Sequence, residues 1–157
     1  MQIRPPETPA EWEAYYRLRF EILRQPWGQA PGTERLPDEA EATHAAAFDT
    51  DGTLLGVGRL QQNSPTQGQV RLMAVSPAAQ GRGVGKAIVQ YLEDQARQQG
   101  LTEIVLEARQ NAVAFYEGIG YEIRAKSHLL FGEIQHWTMQ KKIAPTSLSA
   151  QEHSQFD

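Results

Sequence analysis

The run Val75-Ser76-Pro77-Ala78-Ala79-Gln80-Gly81-Arg82-Gly83-Val84-Gly85-Lys86-Ala87-Ile88-Val89 decides how the chain folds. It opens as the end of an apolar strand, is stopped by Ser76-Pro77, turns through three glycines, and leaves as a helix whose Ile88, Val89, Leu92 and Ala96 share one face. Glycines permit positive φ and let backbone N–H groups approach a ligand, while the helix that follows points its partial positive end at the same place. Such a turn suits an anion, and a diphosphate fits it; Arg82 and Lys86 stand at its rim to add charge. Plain turn chemistry before a helix is the competing reading of three glycines alone. Two other phosphate loops do not fit the spacing. A dinucleotide loop needs Gly-x-Gly-x-x-Gly after a first strand, and a nucleotide P-loop needs Ser or Thr where Ala87 stands.

Working outward, Gln69-Val70-Arg71-Leu72-Met73-Ala74-Val75 reads as the strand that feeds the turn, preceded by a polar break over Gln62 to Gly68. Upstream, the apolar runs Ala45 to Phe48 and Leu54 to Gln61 flank Asp49-Thr50-Asp51-Gly52-Thr53, and Asp-Gly between such runs predicts a hairpin. Thr8 or Pro9 opens an amphipathic helix carrying Trp12, Tyr15, Tyr16, Leu18, Arg19, Ile22 and Leu23; a short edge strand, Ile3 to Pro6, precedes it. Gln25 to Leu36, with two prolines and two glycines, reads as a loop holding at most a helical turn. Downstream, the helix from Lys86 to Gln99 is capped by Gly100. A strand Glu103 to Glu107, a short helix Asn111 to Glu117 and strands Tyr121 to Lys126 and Gln135 to Lys142 follow. One domain over 1–143 is expected, with 144–157 a polar, flexible tail.

The 157 residues suffice for one domain, which at this length buries roughly 70% of its unfolded surface. With no cysteine there is no disulfide framework, thiolate metal site or cysteinyl intermediate, and no metal is expected. The net charge of −4 and the scattered basic residues argue against a nucleic-acid partner. The start of the chain lacks the apolar core of a signal peptide, and no stretch approaches the roughly 20 apolar residues of a membrane span, so a cytoplasmic protein is expected.

The turn and its surroundings resemble the GNAT superfamily of N-acetyltransferases. Gln80-Gly81-Arg82-Gly83-Val84-Gly85 is similar to the family's diphosphate loop, and Met73-Ala74-Val75-Ser76-Pro77 to the strand end leading into it. Asn111-Ala112-Val113-Ala114-Phe115-Tyr116-Glu117-Gly118-Ile119-Gly120-Tyr121 is similar to a helix of the family, one residue shorter between Asn111 and Phe115. The resemblance spans about Val70 to Tyr121; the amino-terminal third, which shapes the acceptor pocket in this family, carries no matching motif. It implies an α/β fold with a mixed, splayed central β-sheet of six to seven strands flanked by about four helices. It implies acetyl-CoA as acyl donor, its pantetheine arm lying along the opened sheet with Met73, Ala74 and Val75 offering backbone groups. Gln80, Gly81, Arg82, Gly83, Val84, Gly85 and Lys86 would hold the diphosphate, with Asn111 and Phe115 also at the donor.

Direct transfer of acetyl to an amine needs a deprotonated amine, a polarised thioester carbonyl and a proton for the departing thiolate. By the resemblance, Tyr116 occupies the position of the general acid; simple core packing of a Phe-Tyr pair is the alternative. A backbone N–H near Val75 would hold the carbonyl oxygen. Some family members carry a glutamate base where this chain has Gln69, which takes no proton at neutral pH. Glu107 is the nearest carboxylate, His44 and His136 are further candidates, and a water chain would also serve. The acceptor is a small amine or a peptide amine; net acidity mildly favours a cationic one. Trp12, Tyr15, Trp27 and Trp137 either line its pocket or belong to the core. A homodimer stays open. The rival function is a non-catalytic module that binds or senses coenzyme A or acyl-CoA, which the glutamine at position 69 favours and Tyr116 disfavours.

Overall fold

The computed structural model describes residues 1–146. Seven strands, β1 (Gln2–Arg4), β2 (Thr43–Phe48), β3 (Leu54–Gln62), β4 (Gln67–Val75), β5 (Glu103–Arg109), β6 (Glu122–Leu130) and β7 (Ile134–Lys142), make one mixed sheet in the order β1-β2-β3-β4-β5-β7-β6. The described residues contain three α-helices, α1 (Pro9–Leu23), α2 (Val84–Gln98) and α3 (Val113–Gly118), where about four were expected. Single 3-10 turns at Gln25–Trp27, Pro77–Ala79 and Gln110–Ala112 take up the shorter helical signals. The described residues pack as two compact units, one of Met1–Gln61 with Val70–Leu92, the other of Gln62–Gln69 with the described residues from Glu93 on.

In the first unit, Thr8 caps α1: its Oγ1 accepts the Glu11 N–H at 3.1 Å, and Pro9 sits where its missing N–H costs nothing. Glu11 turns back to accept the Glu7 N–H at 2.8 Å and two hydrogen bonds from Arg4, which fastens β1 to the helix. One face of α1 buries Tyr15 and Leu23 against Ala46, Phe48, Val57 and Ala74, with Trp12, Tyr16, Leu18, Ile22, Leu54 and Leu72 packed around them. The Asp-Gly hairpin forms as expected. Asp49 N–H donates to Thr53 O at 2.8 Å, Gly52 takes φ 86, and β2 pairs antiparallel with β3. On the other face of β3, Gly56 and Gly58 leave α2 room to lie against the strand. A Cβ on Gly58 would stand 2.5 Å from Met73 Sδ and 2.9 Å from Ile88 Cγ2, and one on Gly56 would stand 2.9 Å from both Ile88 and Val84.

In the second unit, Leu101, Ile104, Leu106, Ala108, Tyr116, Tyr121 and Met139 are buried. Strand β5 pairs antiparallel with β7, and β7 with β6. Glu93, 3% exposed, accepts from the Tyr121 hydroxyl at 2.8 Å and from Lys141 Nζ at 3.1 Å, while Lys141 also donates to Ile119 O at 2.9 Å. This pair, buried at Glu93 and half-buried at Lys141, holds the turn between α3 and β6, where Gly120 takes φ 102.

Several boundaries differ from the sequence reading for local reasons. Strand β1 stops at Arg4, because Pro5 and Pro6 have no N–H to pair. The polar break is only Asn63 to Thr66, since β3 and β4 continue through glutamines at their ends. Helix α2 begins at Val84 rather than Lys86, and the helix expected over Asn111 to Glu117 is a 3-10 turn followed by α3. Strand β6 runs four residues past Lys126, to a turn in which Phe131 (φ 53) and Gly132 (φ 70) are both left-handed. Of the expected tail, Thr146 N–H donates to Arg97 O at 3.4 Å, and 147–157 lie outside the described residues.

Candidate active site

In the first unit, the donor residues expected from sequence lie consecutively along β4, the glycine turn and the start of α2. Gly81 and Gly83 have φ 79 and 78, and a Cβ on either would meet nothing within 4 Å. The turn is therefore shaped by glycine yet open on its outer side. Ala87 N–H makes the first bond of α2, to Gly83 O at 3.1 Å, so the N–H groups of Val84, Gly85 and Lys86 have no intrahelical acceptor. This start is unlike that of α1. Position 83 offers no capping side chain, the first turn holds no acid, and it holds Lys86, a cation where the helix dipole favours an anion. The surplus positive potential is what a diphosphate would satisfy, and the residues present fit that group. Lys86 is exposed, while Arg82 pairs with Asp49 of the hairpin at 3.2 Å. The Asp49 carboxyl lies below its ordinary value, first through the Thr50 N–H and then through Arg82.

Strand β4 carries a feature that sequence reasoning missed. Leu72 has φ 58, a left-handed value that costs a branched-chain residue on the order of 1–3 kcal/mol. Ser76 N–H, four residues on, still bonds Leu55 O at 2.9 Å, so the chain re-enters register beyond the kink. Met73, Ala74 and Val75 follow the kink directly and lead to the turn.

In the same unit, His44 is 7% exposed, with Nε2–H donating to Glu39 O at 2.7 Å and Nδ1 against the Tyr15 hydroxyl at 2.9 Å. Burial first holds its pKa below the ordinary histidine value. Both ring nitrogens are engaged, which leaves neither for a substrate proton. Tyr15 is fully buried and Trp12 packs edge-on against it at 5.4 Å, so these two aromatics belong to the core.

In the second unit, Tyr116 of α3 is buried, its ring packed edge-on against Phe115 at 5.0 Å and Tyr121 at 5.8 Å. Its hydroxyl has no hydrogen-bond partner among the described residues and is not one of their sealed, unsatisfied polar atoms. Burial pushes this phenol up, keeping it protonated at neutral pH. Asn111 and Phe115 are exposed. On β5, both Glu107 oxygens accept from Thr138 Oγ1, at 3.1 and 2.9 Å. His136 is 6% exposed, bonds Ile134 O through Nδ1 at 2.9 Å and stacks on His128 at 4.4 Å; burial first lowers its pKa. Trp137 Nε1–H approaches Gln110 Oε1 at 3.5 Å.

A mixed sheet whose fourth strand is kinked and runs through a glycine turn into an uncapped helix defines an acyltransferase-type frame. The model of the acetyltransferase (GNAT) family matches residues 12–121, and the chain belongs to that family. It is 31% identical to an uncharacterized protein of Mycobacterium leprae over 73% of this chain and 33% of that protein. It is 29% identical to an uncharacterized N-acetyltransferase, YjcF, of Bacillus subtilis over 71% of this chain and 79% of that protein. The chain thus spans about a third of the former relative's length. Among solved structures, an aminoglycoside 6'-N-acetyltransferase complexed with coenzyme A superposes with TM-score 0.78 at 19% identity, covering 93% of this chain and 99% of that one; the likeness is one of fold.

Proposed function

We propose that the protein transfers an acetyl group from acetyl-CoA directly to a primary amine. The observation that carries this reading is the start of α2, where three unpaired N–H groups follow an open glycine turn with a cation in place of a cap. Gln80, Gly81, Arg82, Gly83, Val84, Gly85 and Lys86 bind the diphosphate through backbone N–H groups and rim charge. Met73, Ala74 and Val75 bind the pantetheine arm by their backbone, and a backbone N–H near Val75 holds the thioester oxygen. Asn111 and Phe115 also contact the donor. Tyr116 donates its phenolic proton to the departing sulfur; its free hydroxyl and raised pKa support the role. Glu107, held by Thr138, accepts the amine proton, directly or through water.

Calorimetry with acetyl-CoA tests the donor site, and binding heat in the wild type with affinity lowered about 10-fold or more by Lys86→Glu is the expected result. Release of free thiol on addition of an amine panel separates turnover from mere holding of the acyl carrier. A Glu107→Gln variant is expected to displace the acid limb of the pH–rate profile; a profile identical to wild type excludes Glu107 as base.

A further inference from the structure

The kink in β4 sets up a charge imbalance that donor binding does not use. On β3, Gly56 and Gly58 face α2, whereas Val57 packs in the α1 cluster, so Arg59 and Gln61 continue the α1 face. On β4, Met73 approaches the Gly58 side, and Leu72 and Ala74 pack on the α1 side. Arg71 Nη1 donates to Gln61 Oε1 at 3.3 Å and therefore also lies on the α1 side, beside Leu72. Two consecutive residues on one face are what a bulge at Leu72 permits.

The guanidiniums on that face do not balance the carboxylates. Arg19 meets Glu39 at 3.0 Å, and Arg59 meets Glu39 at 3.1 Å and Asp38 at 2.9 Å. Arg71 is the third guanidinium of this group. No described carboxylate lies within ion-pair distance of it, and its one side-chain partner, the Gln61 oxygen, is shared with Arg59 at 2.8 Å. Arg71 is half-buried, and burial followed by the charge of Arg59 lowers its pKa despite Asp38 and Glu39. Arg24 adds a positive charge that repels Arg71 and Arg19 and is itself opposed by the buried Glu34 carboxylate. Two buried donors, the Nε atoms of Arg19 and Arg59, have no acceptor. A structural arginine is normally saturated, whereas here a five-donor fork meets one neutral acceptor beside other cations.

We propose that Arg71 receives a carboxylate of the acceptor, so that the substrate class is an amine that also bears a carboxylate. This rests on the acetyltransferase reading and places acceptor recognition on β4, two residues before the segment assigned to the acyl donor. It also reverses the preference for a cationic amine drawn from the net charge of −4. A planar fork grips a carboxylate through two parallel hydrogen bonds, which fixes the orientation of the attached amine as well as its affinity.

Two measurements on the full chain test it. In the first, arginine Nε–Hε resonances are followed by NMR as propionate replaces chloride at constant ionic strength, with Arg71→Gln identifying the Arg71 signal. A saturable shift of that signal is expected; none would overturn the proposal whether or not the protein turns over. In the second, β-alanine, γ-aminobutyrate and lysine are each compared with their amides as acceptors in the thiol-release assay. Wild type is expected to favour each carboxylate by about 10-fold or more in kcat/KM. Arg71→Gln is expected to lower that kcat/KM about 10- to 100-fold, mainly through KM, with the amides and the KM for acetyl-CoA unchanged. Arg71→Lys should retain part of the preference. Equal loss on acids and amides, or a wild type that prefers the amides, makes Arg71 a structural residue. If acetyl-CoA gives no binding heat, it is the donor reading that fails, and the propionate titration still decides on Arg71.

Discussion

Three tyrosines are buried, and their hydroxyls separate them. Tyr15 spends its hydroxyl on His44, Gly58 O and Arg19, at 2.9, 3.0 and 3.1 Å, and Tyr121 donates to Glu93 at 2.8 Å. Tyr116 has the same kind of aromatic packing and no such partner among the described residues. Packing explains why its ring is there but not why it carries oxygen. Tyr116→Phe keeps the ring contacts, so stability should change by less than about 0.5 kcal/mol. Turnover should fall about 100-fold with KM for acetyl-CoA preserved, as measured by steady-state thiol release. The resemblance of the Asn111 to Tyr121 segment to a family helix is what put this residue forward, since that pattern survives as text. It did not reveal that the hydroxyl is open, because two other tyrosines read alike. The face that Arg71 takes was illegible, because a strand residue's face follows from alternation and the left-handed Leu72 interrupts it where no glycine marks the place.

At the scale of elements, the two long helices begin in opposite ways. Helix α1 has Thr8 as its cap, Pro9 at its first position and the acid Glu11 in its first turn, and of these the Thr8-Pro9 start was readable. Helix α2 has Gly83 in the capping position before Val84 and Lys86 in its first turn, a start that forgoes intrinsic stability for an open positive end. Lys86→Glu should therefore act in two directions. It should raise helix stability by about 0.3–1 kcal/mol in urea unfolding and weaken acetyl-CoA binding in calorimetry by about 10-fold or more. A variant that is both less stable and unimpaired in binding would contradict this assignment of the turn. The glycines of β3 matter in the same region, because they set how closely α2 lies to the sheet. Gly58→Ala places a methyl against Met73 and Ile88, and as overpacking it should cost about 1–3 kcal/mol in the same unfolding assay. Their role was hidden in sequence, where glycine in a strand signals only weakness or close approach without naming the neighbour. Strand β6 outruns its sequence signal for a different reason. Almost every one of its residues is exposed, so it has no alternation to detect, and its charges and irregular pairing with β7 suit an edge that must not recruit another strand.

Across the whole molecule, the buried histidines couple stability to pH. His44 in the first unit and His136 in the second both have pKa values lowered chiefly by burial. The groups around His44 are the Glu39 carboxylate and backbone carbonyl, which oppose the shift, and Arg19 and Arg59, which reinforce it. Around His136, Ile134 O and Glu107 oppose, and His128 and Arg109 reinforce. A histidine depressed in the fold takes up its proton first in the unfolded chain. As pH falls from the ordinary histidine value of about 6.5 toward the folded values, the unfolded state therefore binds more protons, and stability declines. Above about pH 6.5 this contribution is complete and the curve is level. Further down, Asp38 and Glu39, whose carboxyls are lowered in the fold, add a second loss as they are protonated below the ordinary carboxylate range and release Arg59 and Arg19. Urea midpoints measured from pH 8 to pH 4 should thus be flat to about pH 6.5 and then drop. His136→Gln, which removes the titrating ring while keeping an amide able to donate to Ile134 O, should make the first drop shallower. Unchanged midpoints between pH 8 and pH 5 would mean that neither ring is depressed in the folded protein.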